Sequence, residues 1–196
     1  MARLGVVLAG GASSRFGADK AAALLRGKPL LSHVCERALP QVDRLVINRN
    51  TRTLPGLPIE YEVIPDDWPG EGPLAGIVKA LDYAGAHGFA QVASFPCDTP
   101  IFPTDLVRRL EDQLVAAKAG CCMARQGGRE QRALALWNVA CAPVLKARFL
   151  SGMRRLGDVS DAIDTTVADF THGFLNINTP GDLAEAERRP ESDELP

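Results

Sequence analysis

Several short stretches of this chain carry residues suited to handling phosphate. Leu8 to Leu25 reads LAGGASSRFGADKAAALL, directly after an apolar run. Glycines let the backbone turn freely and bring N–H groups close to an anion. Arg15 adds a planar donor fork and Lys20 a point charge. With Gly10 and Gly11 they form a candidate cradle for a di- or triphosphate. The spacing is neither that of a P-loop nor that of a GxGxxG dinucleotide turn. The plain alternative is a βα loop whose glycines serve positive φ, and spacing alone does not separate the two.

Three more positions fall at the ends of apolar runs. Asn48 follows RLVI. Asp66 follows EYEVI and shortly precedes GEGPLAG, Gly70 to Gly76. Asp98 follows QVASF inside PCDTP. Singly, Asn and Asp are ordinary turn residues. Their coincidence at successive run ends favours one shared site. An acid facing a phosphate loop suits Mg²⁺, which takes few carboxylates and completes its shell with phosphate oxygens and water. Asp98 is the candidate ligand, with Arg15 and Lys20 as counter-charges. None of the three histidines is paired with a serine or cysteine nucleophile. Cys97 directly precedes Asp98, so alternation along the chain should point it away, as a small buried residue.

Positioning these groups takes alternating strands and helices. RLGVVL, RLVIN (Arg44 to Asn48), IEYEVI (Ile59 to Ile64) and QVASF read as strands. Leu30, Leu31, Val34, Cys35, Ala38 and Leu39 share one helical face, with Pro29 in the first turn and Pro40 after the end. Leu74 to Ala86 reads as a helix closed by Gly88, and Pro103 to Ala119 as another. CCMA and RALALW flank the turn QGGRE. FLNIN, Phe174 to Asn178, reads as a late strand. TPGDLAEAE opens a helix with Thr179 as N-cap and Asp182 at N3. The alternation predicts an α/β, doubly wound, mostly parallel sheet with helices on both faces. Such sheets bind ligands at the carboxyl ends of their strands.

The 196 residues suit one domain, 1–187, followed by a flexible tail over 188–196. A net charge of -2 advertises neither nucleic acid nor an anionic membrane as partner. The apolar runs are too short for a membrane span. No signal-peptide pattern is visible. Five cysteines without CxxC spacing indicate neither a disulfide framework nor a zinc site, so a cytoplasmic protein with reduced thiols is the expectation.

In their order these motifs resemble the molybdenum cofactor guanylyltransferase (MobA) family, within the MobA-like nucleotidyltransferases. The family pattern LAGGxSxRxGxDK stands at Leu8 to Lys20, its Asn at Asn48, GPLAG at Gly72 to Gly76, PCDxP at Pro96 to Pro100, and NxNTPxDL at Asn176 to Leu183. The resemblance covers almost the whole chain and implies a Rossmann-like nucleotidyltransferase. It implies transfer of GMP from GTP to the terminal phosphate of molybdopterin, with Mg²⁺ as cofactor and pyrophosphate as second product. The implied GTP contacts are Leu8, Ala9, Gly10, Gly11, Lys20, Asn48, Asp66 and Asp98. Asp98 becomes the metal ligand, and Arg15, Lys20 and Asp98 the catalytic set.

Asn176 and Asn178 match positions near the metal and the acceptor. The acceptor falls to the half after about residue 100, where Arg132, Arg154 and Arg155, with Arg129, are candidate phosphate holders or simply solvated arginines. Molybdenum-insertion and cofactor-delivery proteins are the further partners implied. Two departures stand out. Gln131-Arg132 replaces the family's usual His-Pro or Gln-Pro, and Phe16 stands where Met is usual. Paired Gly10-Gly11 resembles the guanylyl branch, whereas cytidylyl relatives more often carry Ala-Gly. The alternatives are CTP as donor, a sugar phosphate as acceptor, or a nucleotide-binding regulatory protein without turnover.

Overall fold

The computed structural model describes residues 1–10, 19–51, 56–57 and 61–188. Gly11 and Arg15 lie outside them, as does the expected tail beyond Arg188.

The chain enters through β1 (Arg3–Leu8), then a 3-10 turn (Lys20–Ala22) and a small hairpin of β2 (Leu24–Leu25) and β3 (Lys28–Pro29). Positive φ at Arg26 (52°) and Gly27 (74°) gives the hairpin the backbone twist that two-residue turns require. There follow α1 (Leu30–Ala38), β4 (Arg44–Asn48), β5 (Glu62–Ile64), α2 (Pro73–Ala86), β6 (Gln91–Pro96) and α3 (Leu106–Ala117). The second half holds β7 (Cys121–Gln126), β8 (Arg129–Asn138), α4 (Ala142–Leu150), a 3-10 turn (Leu156–Asp161), β9 (Thr165–Phe170) and α5 (Pro180–Arg188).

The main sheet has the order β5-β4-β1-β6-β8-β7-β9. β8 runs antiparallel to both neighbours, and the other pairings are parallel. The strand order turns back between β1 and β6, where ligands gather in such sheets.

Both faces are covered, so the central strands are apolar throughout rather than alternating. In β1, Leu4, Val6 and Leu8 pack with Leu74, Ile77 and Leu81 of α2 and with Leu145 and Phe149 of α4. Val7 points the other way, toward Val34 and Cys35 of α1 and Leu106 and Leu110 of α3. A Cβ on Gly5 would meet Leu45 Cδ1 at 2.6 Å, so glycine lets the neighbouring strand's side chain lie flat there. Among the described residues no helix is long and apolar enough to cross a membrane.

The late strand expected over Phe174 to Asn178 does not form. Leu175 makes an isolated bridge to Ile101, and the Ile177 N–H donates to the Asp98 carbonyl at 2.8 Å. The sheet edge is taken instead by β9, paired in parallel with β7. TTVADF escapes a pattern reading because half of its residues are polar and only Ala168 and Phe170 are buried. The sequence reading likewise assigned no element to α4. The expected α3 is shorter than Pro103 to Ala119: it begins at Leu106 and stops at Lys118, which adopts the left-handed conformation. β5 is described from Glu62, and the expected start at Ile59 lies outside the described residues.

Candidate active site

The carboxyl ends of β1, β4 and β6 open on a cavity of about 650 Å³. Leu8, Ala9 and Gly10 form one side, Asn48 the floor, and Cys97, Asp98 and Thr99 another side. Asp66, Gly70, Gly72 and Pro73 rim it at the start of α2. Gly70 and Gly72 hold φ of 84° and 86°, conformations that side-chain-bearing residues rarely adopt.

Each group has a local reason for its place. Asn48 ends β4 and is 2% exposed. Its Nδ2 donates to the Ile64 carbonyl at 3.2 Å and its backbone carbonyl accepts from Ala9 N–H at 3.0 Å. It thereby locks three strand ends together. α2 approaches so closely that a Cβ on Gly76 would stand 2.4 Å from Asn48 Oδ1. Asp66 forms an Asx turn, accepting from Trp68 N–H at 2.9 Å, while its own N–H donates to Asn50 Oδ1. Burial pushes its carboxyl above the ordinary 3.8.

Lys20 and Asp98 meet across the cavity. Lys20 Nζ donates to Asp98 Oδ2 at 3.0 Å and to Asn178 Oδ1 at 3.2 Å. Asn178 comes from the segment before α5, whose expected capping box is present. Asp182 accepts from the Asn178 and Thr179 N–H groups, each at 2.8 Å, and Thr179 Oγ1 accepts from Asp182 N–H. Asn176 lines the cavity. Between the two asparagines, Ile177 is buried with Leu25, Leu30 and Ala186, which anchors the segment.

Cys97 is among the residues lining the cavity and is also a small, half-buried residue of the core, as expected. It packs partly against the core beneath β6, and burial pushes its thiol up to about 12. A thiol so hard to ionise is no nucleophile at neutral pH.

The far wall is β8. Arg129, Glu130, Gln131, Arg132, Ala133 and Leu134 line the cavity, and Arg132 Nε is paired with Glu130 Oε2 at 2.7 Å. The register against β7 breaks between Met123 and Ala124, which pair with Ala135 and Gln131 respectively. Residues 132–134 are therefore extra and bulge from the ladder, a device that re-aims side chains beside active sites. Ser94 Oγ ties the bulge to β6 by donating to the Ala133 carbonyl at 2.8 Å.

Comparison with known proteins gives the family. Residues 5–165 match the MobA-like NTP transferase domain model. The chain belongs to the MobA-like NTP transferase family. It is accordingly a nucleotidyltransferase. A molybdenum cofactor guanylyltransferase of Cereibacter sphaeroides is 38% identical over 190 residues, which is 95% of this chain and 96% of that one. One from Rhodobacter capsulatus is 41% identical over 192 residues, covering 94% and 95%. The crystal structure of molybdopterin-guanine dinucleotide biosynthesis protein A from Archaeoglobus fulgidus superposes with a TM-score of 0.75 at 24% identity, over 94% of this chain and 96% of that one. That likeness concerns the fold.

Within this MobA-like transferase the residues singled out from the sequence divide clearly. Leu8, Ala9, Gly10, Lys20, Asn48, Asp66, Asp98, Arg132 and Asn176 share the cavity. Asn178 touches it through Lys20. Arg154 is turned elsewhere: its guanidinium lies 4.3 Å over the Phe149 ring and pairs with Glu71. Arg155 is exposed, and neither arginine lines the cavity. Sequence reasoning gave no role to Asp19, Glu130 or Arg49. The signal for Asp19 was its place beside Lys20. Glu130 and Arg49 carried none, since their partners are decided by the fold.

Among the described residues no three acidic, histidine or cysteine side chains gather into a metal cage. Asp98, with the Asn178 amide oxygen held on the same lysine, instead fits a hard cation that draws its remaining ligands from phosphate and water.

Proposed function

We propose that this enzyme transfers GMP from GTP to the terminal phosphate of molybdopterin, releasing pyrophosphate. The carrying observation is the meeting of Lys20 and Asp98 in one cavity, across from the bulged β8 wall that holds Arg132. The reading divides the chain into a nucleotide half, to about residue 100, and an acceptor half over 101–187.

In the reaction an acceptor phosphate oxygen forms a bond to the α-phosphorus. The bond from that phosphorus to the bridging oxygen breaks, and the electron pair leaves with pyrophosphate. The nucleophile is already anionic, so no general base is needed. The difficulty is holding two anions together, which makes positioning and charge neutralisation the chemistry required. Asp98, with the Asn178 amide oxygen close by and Asn176 in the same cavity, would hold Mg²⁺, which supplies Lewis-acid polarisation of the phosphate. A triphosphate entering beside Asp98 offers Lys20 a second anionic partner. The N–H of Gly10 adds a donor, and Gly11 and Arg15 keep the roles their motif assigns. Loss of one such donor costs about 2.7–4 kcal/mol of transition-state stabilisation by analogy with oxyanion holes. Asn48 and Asp66 meet the nucleoside, and Arg132 with Arg129 meets the acceptor phosphate.

A thermal-shift series of GTP, ATP, CTP and UTP with Mg²⁺ tests the donor, because a ligand that binds the native state raises its stability by mass action. GTP is expected to give the largest shift, and pyrophosphate release is expected with GTP and molybdopterin. An equal or larger shift with CTP overturns the guanylyl reading.

A further inference from the structure

We infer that Arg49 is a positioning residue that sets Lys20 by bracing Asp19. Arg49 follows Asn48 and is 8% exposed, unusual for a guanidinium. Its N–H donates to the Ile64 carbonyl at 3.2 Å, continuing the β4–β5 ladder. Its Nε donates to Thr51 Oγ1 at 2.5 Å. The two terminal nitrogens face the Asp19 carboxylate as a fork: Nη2 bonds Oδ2, and Nη1 lies 3.4 Å from Oδ1. A guanidinium this deep has to be matched, and fork-to-fork pairing fixes orientation as well as charge.

Asp19 passes the constraint on. Its Oδ1 accepts the Ala21 N–H at 3.1 Å and so caps the 3-10 turn that begins with Lys20. One carboxylate thus holds a buried arginine on one side and the lysine-bearing turn on the other. Lys20 then crosses to Asp98 and Asn178. Asp19 and Lys20 line the cavity, whereas Arg49 does not. Arg49 therefore acts through Asp19 and not by touching the nucleotide. The inference rests on the reading of Lys20 as a phosphate-binding group.

The test has one readout that needs no substrate. Lys20 acylation by acetic anhydride is followed by mass spectrometry, with exposed Lys118 as internal reference. Arg49→Met and Asp19→Ala are each expected to raise Lys20 acylation several-fold and leave Lys118 unchanged. The double variant is expected to go no further than either single variant, because both remove one link. Arg49→Lys restores part of the protection, having a charge but no fork. In pyrophosphate release the same variants should lower kcat while leaving the acceptor KM unchanged.

Additive effects, unchanged Lys20 labelling in Arg49→Met, or Lys118 rising in step with Lys20 overturn the inference. If Arg49→Met does not fold, Arg49→Lys against wild type carries the comparison, and equal Lys20 labelling in the two overturns it. If the wild-type protein releases no pyrophosphate from any nucleoside triphosphate, the functional reading falls, and the labelling comparison still decides the role of Arg49.

Discussion

Asp98 closes β6 inside a turn stiffened by Pro96 and Pro100, with Thr99 Oγ1 3.3 Å from its Oδ1. Its carboxylate is spent on Lys20 and not on the core, so Asp98→Asn should fold normally. It keeps one acceptor oxygen and loses the charge a metal needs. Turnover is expected to fall about 10²–10³-fold, and more than GTP affinity does, because such charge stabilisation is strongest in the transition state. Pyrophosphate release at saturating GTP measures the first, and titration with and without Mg²⁺ the second. A near wild-type rate would make Asp98 an ordinary turn residue. Asp66 offers a signed pH test. Burial raises its carboxyl, so the folded state disfavours the ionised form. Below the ordinary value of 3.8 both states are protonated and nothing is lost; above the raised value the full penalty applies. Asp66→Asn should therefore raise the melting temperature of the free protein at pH 7, and the gain should vanish on acidification. The same variant is expected to bind GTP more weakly. A melting gain that persists at acid pH would show that relief of this charge is not its cause.

At the scale of elements, the site depends on how tightly α2 seats against the end of β4. Gly76 is the point of contact, with room for no Cβ beside Asn48 Oδ1 and with Leu8 Cδ2 at 2.9 Å. Gly76→Ala improves helix propensity yet overpacks the floor. Overpacking of this kind costs about 1–3 kcal/mol. Displaced Asn48 should also loosen the end of β1, lowering GTP affinity about tenfold, equivalent to about 1.4 kcal/mol. Denaturant unfolding and GTP titration check the two parts. A more stable variant with unchanged affinity would mean that α2 can slide without cost.

Across the whole molecule, the cavity is assembled from two regions of one sheet. β1, β4 and β6 supply the parallel strand ends, and antiparallel β8 supplies the opposite wall through its bulge. The expected division of labour follows from that separation. Arg132→Ala should raise the KM for molybdopterin about 10–150-fold while GTP affinity stays unchanged, the loss of one charge-assisted contact being worth about 1.5–3 kcal/mol. Steady-state kinetics with each substrate varied in turn provide the check. Weakened GTP with an unaltered acceptor KM would overturn the two-halves reading. The Arg132 guanidinium also sits against Gly157, where a Cβ would come within 2.9 Å of Nη1, so the 3-10 turn over Leu156–Asp161 helps set its direction.

The sequence by itself determined the α/β alternation, the buried face of α1, the existence of α2, the capping box of α5, and the arrival of Gly10, Asn48, Asp66 and Asp98 at strand ends. These follow from local rules: the helical hydrophobic period, short continuous apolar runs, and proline and glycine punctuation. Tertiary structure decided the rest. β9 and not Phe174 to Asn178 takes the sheet edge, because an edge strand needs apolar packing on one face only and its pattern is weak. Arg132 joins the cavity while Arg154 turns onto Phe149, a choice made by a bulge and a ring contact that no spacing encodes. Arg49 is buried because Asp19, thirty positions earlier in the chain, meets it with a carboxylate. Local patterns carry no information about partners so far apart in sequence; the pairing exists only once β1 and β4 lie side by side.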